Sequence, residues 1–555
     1  MATHETGWQA SFSQPPEQTV MVALDLETTG VDPRNDQILE IGAVKFRGAE
    51  ELDRFSSLVD PGIDIPPFIT ELTGIRKQDV AGAPRIEAVI PGLSEWLGDH
   101  PMIGHNVGFD AAFLRRNGVP PRLETFDTYD LAYALLPGAP EYNLGGLGKR
   151  FGLLHDSPHR ALSDALATRG LFILLLERLR ELDPALLAEF SRLTAASGWS
   201  AGILAGRVMD TMRPEQMRSA LGPGAIDLED LANRLRHRPR PQTDPPRSLD
   251  REAGGLEDAV ASVFREGGHL ARNLPDYEHR DEQERMARSV AKALEQGDHL
   301  VVEAGTGVGK SLAYLVPSAL RAISNNSTIL VSTNTINLQE QLLGKDIPAV
   351  EAVLGALGLT DDSLVSTQLK GRANYLCMRR WLHARSGTEM SVEEARLLAK
   401  TYVWLQETET GDRNELRLSR DDQSQFTRMS AQGANGCPPQ EGPCFLRTAR
   451  LRANNAHIVI INHSLLMSDL VMGGGLLPEH DALIIDEAHH LEATATRNLG
   501  FSIEQRQVEA ELANLAGDRG LLADSLATLR SRAPLLAASG NLEALETRLS
   551  HTVSG

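Results

Sequence analysis

One segment limits the fold of this chain more than any other. Residues 301–311, VVEAGTGVGKS, follow an apolar run and precede the helical pattern SLAYLVPSAL. Glycines spaced this closely suit a strand that turns directly into a helix, with backbone N–H groups curled around an anion. The segment predicts a strand–loop–helix unit, and with it an α/β domain. Four short apolar runs read as strands of that domain: HLVVEAG, TILVSTN, AHIVIIN and DALIIDEA. Helical or irregular sequence separates them, as crossover connections between strands require.

The loop has the chemistry of a nucleotide site. Gly305, Gly307 and Gly309, with Thr306 and Val308 between them, present backbone N–H groups to phosphate oxygens. Lys310 supplies positive charge to the β- and γ-phosphates, and Ser311 is a candidate Mg²⁺ ligand. The acidic counterpart is LIIDEAHHLE, an apolar strand that delivers Asp486 to the Mg²⁺ environment and Glu487 to a water facing the γ-phosphate. Alone, D-E-A-H also fits a solvated strand end; downstream of a phosphate-binding loop it reads as its partner.

A second cluster lies near the N-terminus. Asp25 and Glu27 stand two apart at the end of the run TVMVALDLETTG, so both project from one face of a strand. Carboxylates that close repel each other unless a cation lies between them. Asp110 opens a helical pattern in GHNVGFD, and His159 and Asp164 stand five apart in HRALSD. Oxygen ligands from separate elements suit Mg²⁺ or Mn²⁺, and a metal pair can clamp both oxygens of an in-line phosphoryl displacement. A histidine beside them titrates in the range needed to deprotonate water. Each short motif taken singly also fits a solvated turn or a surface pair.

DLETTG, HNVGFD and HRALSD together resemble the three motifs of the DnaQ-like DEDDh 3′→5′ exonucleases, and PFITELTGI resembles the segment between the first two. The resemblance covers residues 19–180 and implies an RNase H-like fold with two divalent metals. It implies that Asp25, Glu27, Asp110 and Asp164 bind the metals and that His159 is the general base. Hydrolysis from a 3′ end of DNA would follow, with RNA chemically possible.

Residues 255–500 resemble the DinG/XPD-like branch of superfamily 2 DNA helicases through YEHRDEQERM, EAGTGVGKS, STNTINLQEQL, KGRANYLC, CFLRTARLRANNAHIVIINHSLL and DEAHHLE. That resemblance implies an adenine-side role for Arg280 and Gln283, and DNA-backbone contact by Ser332–Gln341. Iron–sulfur members of the branch use four cysteines. Here Cys377, Cys437 and Cys444 match three positions, and no other cysteine exists, so an insertion without an intact cluster is the expectation. Nothing after His489 reads as a second RecA-like domain, so the chain is expected to be truncated before it, with weak ATP hydrolysis. An arginine finger from such a domain is worth about 10³–10⁵ in turnover.

These readings give an α/β chain with an RNase H-like exonuclease domain, followed by a P-loop RecA-like domain carrying an inserted helical, cysteine-containing region. The expected boundaries are a tail at 1–18, the exonuclease domain at 19–180, and a helical segment with a Pro/Arg-rich linker at 181–254. The nucleotide-binding domain occupies 255–352 and 451–500, the insertion 353–450, and the start of a helical arch 501–555.

Composition narrows the partners. Acids outnumber bases, 75 to 55, for a net charge of −20, so a polyanion must be held by metal ions or local basic patches. With 41% apolar and 23% charged residues the chain is ordinary for a globular protein. Three cysteines exclude a disulfide scaffold and fit the cytoplasm. No apolar run approaches the ~20 residues that span a bilayer. The expected function is a metal-dependent exonuclease on DNA ends, single-stranded or with a 3′ end. It is linked to an ATP-dependent helicase module in DNA repair or replication. The alternative is a weak or nuclease-inactive ATP- and nucleic-acid-binding module that needs a second RecA-like domain or a partner.

Overall fold

The structure is a computed structural model. It describes residues 14–500 apart from 120–123, 154–158, 214–225, 237–239, 241–254, 275–276, 306, 360–362, 388 and 434–441, with a few single positions after 500. The chain separates into two compact units: 1–243 with 367–457, and 244–366 with 458–555. This differs from the expected partition. Most of the segment read as an insertion into the nucleotide-binding domain belongs with the exonuclease-like block, while 353–366 stay with the nucleotide-binding block.

The first unit is built on a five-stranded sheet in the order β3-β2-β1-β4-β5. Its strands are β1 (Val20–Thr28), β2 (Ile38–Arg47), β3 (Glu50–Leu58), β4 (Met102–Gly104) and β5 (Thr125–Asp127). The first three form an antiparallel meander, and β1, β4 and β5 run parallel. This mixed sheet is the RNase H-like arrangement. Met21–Leu24 of β1 are buried on both faces, which is why that stretch reads as continuously apolar. β3 is mostly exposed and charged, as suits an edge strand.

Three helices of this unit carry the site: α1 (Val107–Arg116), α2 (Thr128–Leu135) and α3 (Ala161–Glu181). α3 buries Ala161, Ala165, Thr168, Phe172, Leu175 and Leu179, a stripe at helical spacing. Its start lies so close to β2 that a Cβ on Gly42 would meet the Ala161 carbonyl carbon and the Leu162 nitrogen at 2.1 Å. The segment 367–457 adds α4 (Val392–Leu405) and α5 (Arg420–Met429) to the same unit. α4 starts with a capping box, Ser391 and Glu394 each accepting the other's amide, and buries Leu397–Leu405 without a break.

In the second unit three parallel strands lie in the order β7-β6-β8: β6 is Ile329–Thr333, β7 Ile458–Asn462 and β8 Ala482–Ile485. The helix Lys310–Asn325 packs its apolar side into the core below them, among Val316, Leu320, Ile329, Val331, Ile458 and Ile460.

One expected strand is absent. HLVVEAG has no ladder partner, and Leu300, Val301 and Val302 are 43%, 97% and 41% exposed. An apolar run becomes a strand only where a neighbour takes up its N–H and C=O groups. Among the described residues no strand pairs with the far edge of β8.

Candidate functional site

The carboxylates expected at the first site converge. β1 brings Asp25 and Glu27 to its C-terminal end, opposite Gly42 and Glu40 of β2, with a register shift directly after Glu27. Asp110, 3% exposed on the first turn of α1, accepts the Leu26 amide at 3.1 Å. Asp164 lies in the first turn of α3 and accepts the His159 amide at 3.1 Å. Ligand atoms of Glu27, His159 and Asp164 all fall within 4.8 Å of one another.

The electrostatics have one direction. Burial pushes the Asp25 carboxyl well above the carboxylate range, and Asp110, Asp164, Glu27 and Glu40 push it further. Burial raises Asp110 in the same sense. Glu27 is pushed up to about 7 by burial, then by Asp164 and Glu40, against a smaller opposing pull from Arg160. Asp164 is raised by burial and partly relieved by His159. Four oxygen-bearing groups that resist ionising together are the donor set hard divalent cations take. The residues present therefore fit the divalent metals that this fold implies.

The local backbone is tuned to the same end. Only four non-glycine residues among those described have φ in the left-handed region, and three stand at candidate sites: Asn106 at 67°, His159 at 59° and Glu487 at 54°. Such conformations cost about 1–3 kcal/mol each and persist where surrounding structure enforces them.

Two residues that hold the site were not singled out from sequence. Glu40 accepts Arg160 Nε and Nη2 at 3.0 and 2.8 Å and the Ala161 amide at 3.1 Å, fixing the entry to α3. Its signal was a lone charge inside the apolar run ILEIGAV. Asp127 caps α2 and accepts the amides of Asn106, Val107 and Tyr129 at 3.0, 3.0 and 2.8 Å. Its signal was an aspartate directly before a helical pattern.

The second unit gathers the nucleotide residues. Gly307 and Gly309 have φ of 86° and 82°, and Gly309 is the N-cap of the helix Lys310–Asn325. Gly305 and Val308 lie in this loop, and Thr306 is outside the described residues. Gln283 donates to the Gly309 carbonyl at 2.9 Å and accepts the Tyr277 hydroxyl at 2.9 Å, while Arg280 donates to the Gly307 carbonyl. A Cβ at position 309 would meet Gln283 Nε2 at 2.2 Å. Lys310 Nζ reaches Glu487 at 2.9 Å, which raises the lysine and lowers the glutamate. Tyr314 donates to Asp486 at 3.0 Å, and Ser311 lies in the first turn of the helix that begins at Lys310. Asp486 is fixed from behind by its amide, which donates to the Ser332 carbonyl at 2.9 Å.

Two family models match the chain: Exonuclease over residues 22–172, and DEAD/DEAH box helicase over residues 284–361. The chain thus matches an exonuclease model and, further along, a DEAD/DEAH box helicase model. It is 32% identical over 530 residues to the 3′-5′ exonuclease DinG of Bacillus subtilis (strain 168), covering 90% of this chain and 53% of that protein. It is 35% identical over 254 residues to the ATP-dependent DNA helicase YoaA of Escherichia coli (strain K12), covering 44% of this chain and 38% of that protein. The chain thus spans about half the length, or less, of these curated relatives. Among solved structures it matches exonuclease X in complex with 5′ overhanging duplex DNA at 28% identity, covering 34% of this chain and 99% of that one, with a TM-score of 0.25.

Elsewhere in the second unit, not all of Ser332–Gln341 is open to a ligand. Ser332, Thr333 and Gln339 are fully buried, and Gln339 donates to the Ile460 carbonyl at 3.3 Å. Thr335, Asn337, Glu340 and Gln341 are the exposed members. Of the cysteines, Cys377 is buried before the helix Met378–Arg385, Cys444 precedes Phe445–Asn454, and Cys437 lies outside the described residues. A cluster held by four cysteines does not fit a chain that has three. No helix among the described residues is long and apolar enough to cross a membrane.

Proposed function

We propose that the first unit is a metal-dependent 3′→5′ exonuclease acting on DNA, single-stranded or with a free 3′ end, and that the second unit is a linked ATP-binding helicase module whose ATP hydrolysis is weak in this chain. The observation that carries the first part is the meeting of Glu27, His159 and Asp164 within 4.8 Å beside Asp25 and the buried Asp110. A relative named a 3′-5′ exonuclease, aligned over 90% of this chain, supports the same reading.

Asp25, Glu27, Asp110 and Asp164 would hold Mg²⁺ or Mn²⁺, which supplies charge to the scissile phosphate and lowers the pKa of a bound water. Asp164 holds the backbone of His159, whose exposed ring accepts the proton of the attacking water. Asp110 ties its helix to the strand carrying the other two acids. In the second unit Lys310 and the glycine-loop amides would cradle the phosphates, with Ser311 and Asp486 on Mg²⁺, Glu487 on the water, and Arg280 and Gln283 beside the loop. DNA metabolism in the cytoplasm, in repair or replication, is the setting these activities fit.

A 5′-labelled oligonucleotide incubated with the protein and Mg²⁺ or Mn²⁺ should shorten from its 3′ end, with EDTA stopping the reaction. Asp110→Ala should abolish it. Cleavage that survives in that variant, or wild-type protein that never shortens the label, overturns the reading.

A further inference from the structure

Helix α2 is held by two sets of polar contacts, one at its cap and one along its length. At its start, Asp127 accepts the Asn106 and Val107 amides, Thr128 donates to the Gly104 carbonyl at 3.1 Å, and its hydroxyl meets His105 Nδ1 at 2.9 Å. The whole turn between β4 and α1 therefore hangs on the first two residues around the α2 cap. That turn sets the first turn of α1, where Asp110 sits.

The segment 367–457 grips the same helix, from Asp130 in its first turn to Tyr133 beyond it. The Tyr133 hydroxyl donates to Asp422 Oδ2 at 2.5 Å, and both side chains are buried. Arg396 Nη1 reaches Asp130 at 2.9 Å, and its guanidinium lies 4.9 Å from the Tyr133 ring centre. Lys400 Nζ lies 3.5 Å over the Tyr133 ring and donates to the Tyr142 hydroxyl at 2.8 Å. The buried Tyr133–Asp422 bond and the half-buried Arg396–Asp130 pair each have one good geometry and lose much when it changes.

We propose that 367–457 acts as a positioning module for the exonuclease site: Arg396, Lys400 and Asp422 set α2, and α2, through Asp127 and Thr128, sets Asp110. This rests on the exonuclease reading above. Asp127, Tyr133 and Asp422 are positioning residues, acting through the backbone turn that leads to Asp110. A rearrangement of the inserted segment on binding DNA would then be felt at the nuclease metals through one rigid eight-residue helix.

The test uses the full chain with Mn²⁺ as probe. Tyr133→Phe and Asp422→Leu should each raise the Mn²⁺ dissociation constant and the Mn²⁺ concentration for half-maximal cleavage by about ten-fold, the range for groups that orient metal ligands. The KM for the oligonucleotide should stay unchanged. Asp127→Asn should act in the same direction, and adding it to Asp422→Leu should give less than the product of the two effects, because both lie on one path. The milder Arg396→Lys, which keeps the charge, covers the case in which Asp422→Leu fails to fold. Folded variants with wild-type Mn²⁺ affinity, or effects that multiply independently, overturn the proposal. Wild-type protein that binds no Mn²⁺ through Asp110 overturns the exonuclease reading instead.

Discussion

Glu40 grips Arg160 through two parallel hydrogen bonds while its second contact, to the Ala161 amide, pins the same turn from the backbone. One carboxylate on the strand beside Asp25 and Glu27 thereby fixes where the helix bearing Asp164 begins. Glu40→Gln keeps an acceptor for the amide but loses the bidentate pair. It should cost about 1–3 kcal/mol in urea unfolding and lower cleavage more than ten-fold, measured on a labelled oligonucleotide.

Asp110→Asn should separate stability from activity. The amide oxygen still accepts the Leu26 N–H, while one buried negative charge leaves a cluster in which the acids raise one another. Metal-free variant protein should melt higher than wild type, by roughly 2–4 °C per kcal/mol for a domain of this class. Mn²⁺ should raise the wild-type melting temperature and leave the variant's unmoved.

The acid cluster predicts a pH dependence with a definite sign. Glu27 is raised to about 7, so its protonated form stabilises the fold fully below pH 4.5 and that stabilisation is lost as pH rises through 7. Asp127, raised to about 6 chiefly by burial, acts in the same direction. Thermal melts in EDTA should fall between pH 5 and 8, with Glu27 contributing on the order of 3 kcal/mol. Saturating Mg²⁺ should flatten the profile, and Glu27→Gln should reduce its slope.

Lys310 and Glu487 are each about 30% exposed, so their pairing contributes little to stability. Lys310→Met should leave the melting temperature within about 2 °C of wild type, yet weaken binding of a fluorescent ATP analogue by at least about 100-fold, or roughly 2.7 kcal/mol.

Lys370 and Asp412 form a buried pair at 2.5 Å, with side chains 1% and 5% exposed. Lys370→Met strands the aspartate and should cost about 3–5 kcal/mol. Lys370→Met with Asp412→Asn should recover much of that loss, as read by urea titration of the full chain.

What the sequence made legible was what lies close together along the chain. Asp25 and Glu27 share a face because strands alternate, and Lys310 follows its glycines because helix and loop are contiguous. IEAVIPGLSEWL and ALSDALATRGLFILLLERL, rich in apolar residues three and four apart, form the helices Ile86–Leu97 and Ala161–Glu181. Less legible was what depends on distant partners. HLVVEAG has strand composition without a neighbour to complete it. Glu40 and Asp127 carry local signals, but their partners, Arg160 and the Asn106–Val107 turn, lie far from them in the chain. The side of the molecule that 367–457 joins was hidden for the same reason: Arg396 and Lys400 sit in a helix whose pattern says only that it is buried.

Gly42 links these scales. Its missing side chain lets the main chains of β2 and α3 touch, and His159 and Asp164 ride on the turn just beyond that contact. Adding a single carbon there would act as a wedge, prising the helix from the sheet and opening the acid cluster like a jaw. The spacing of two groups more than a hundred residues away in the chain is thus governed by the absence of an atom.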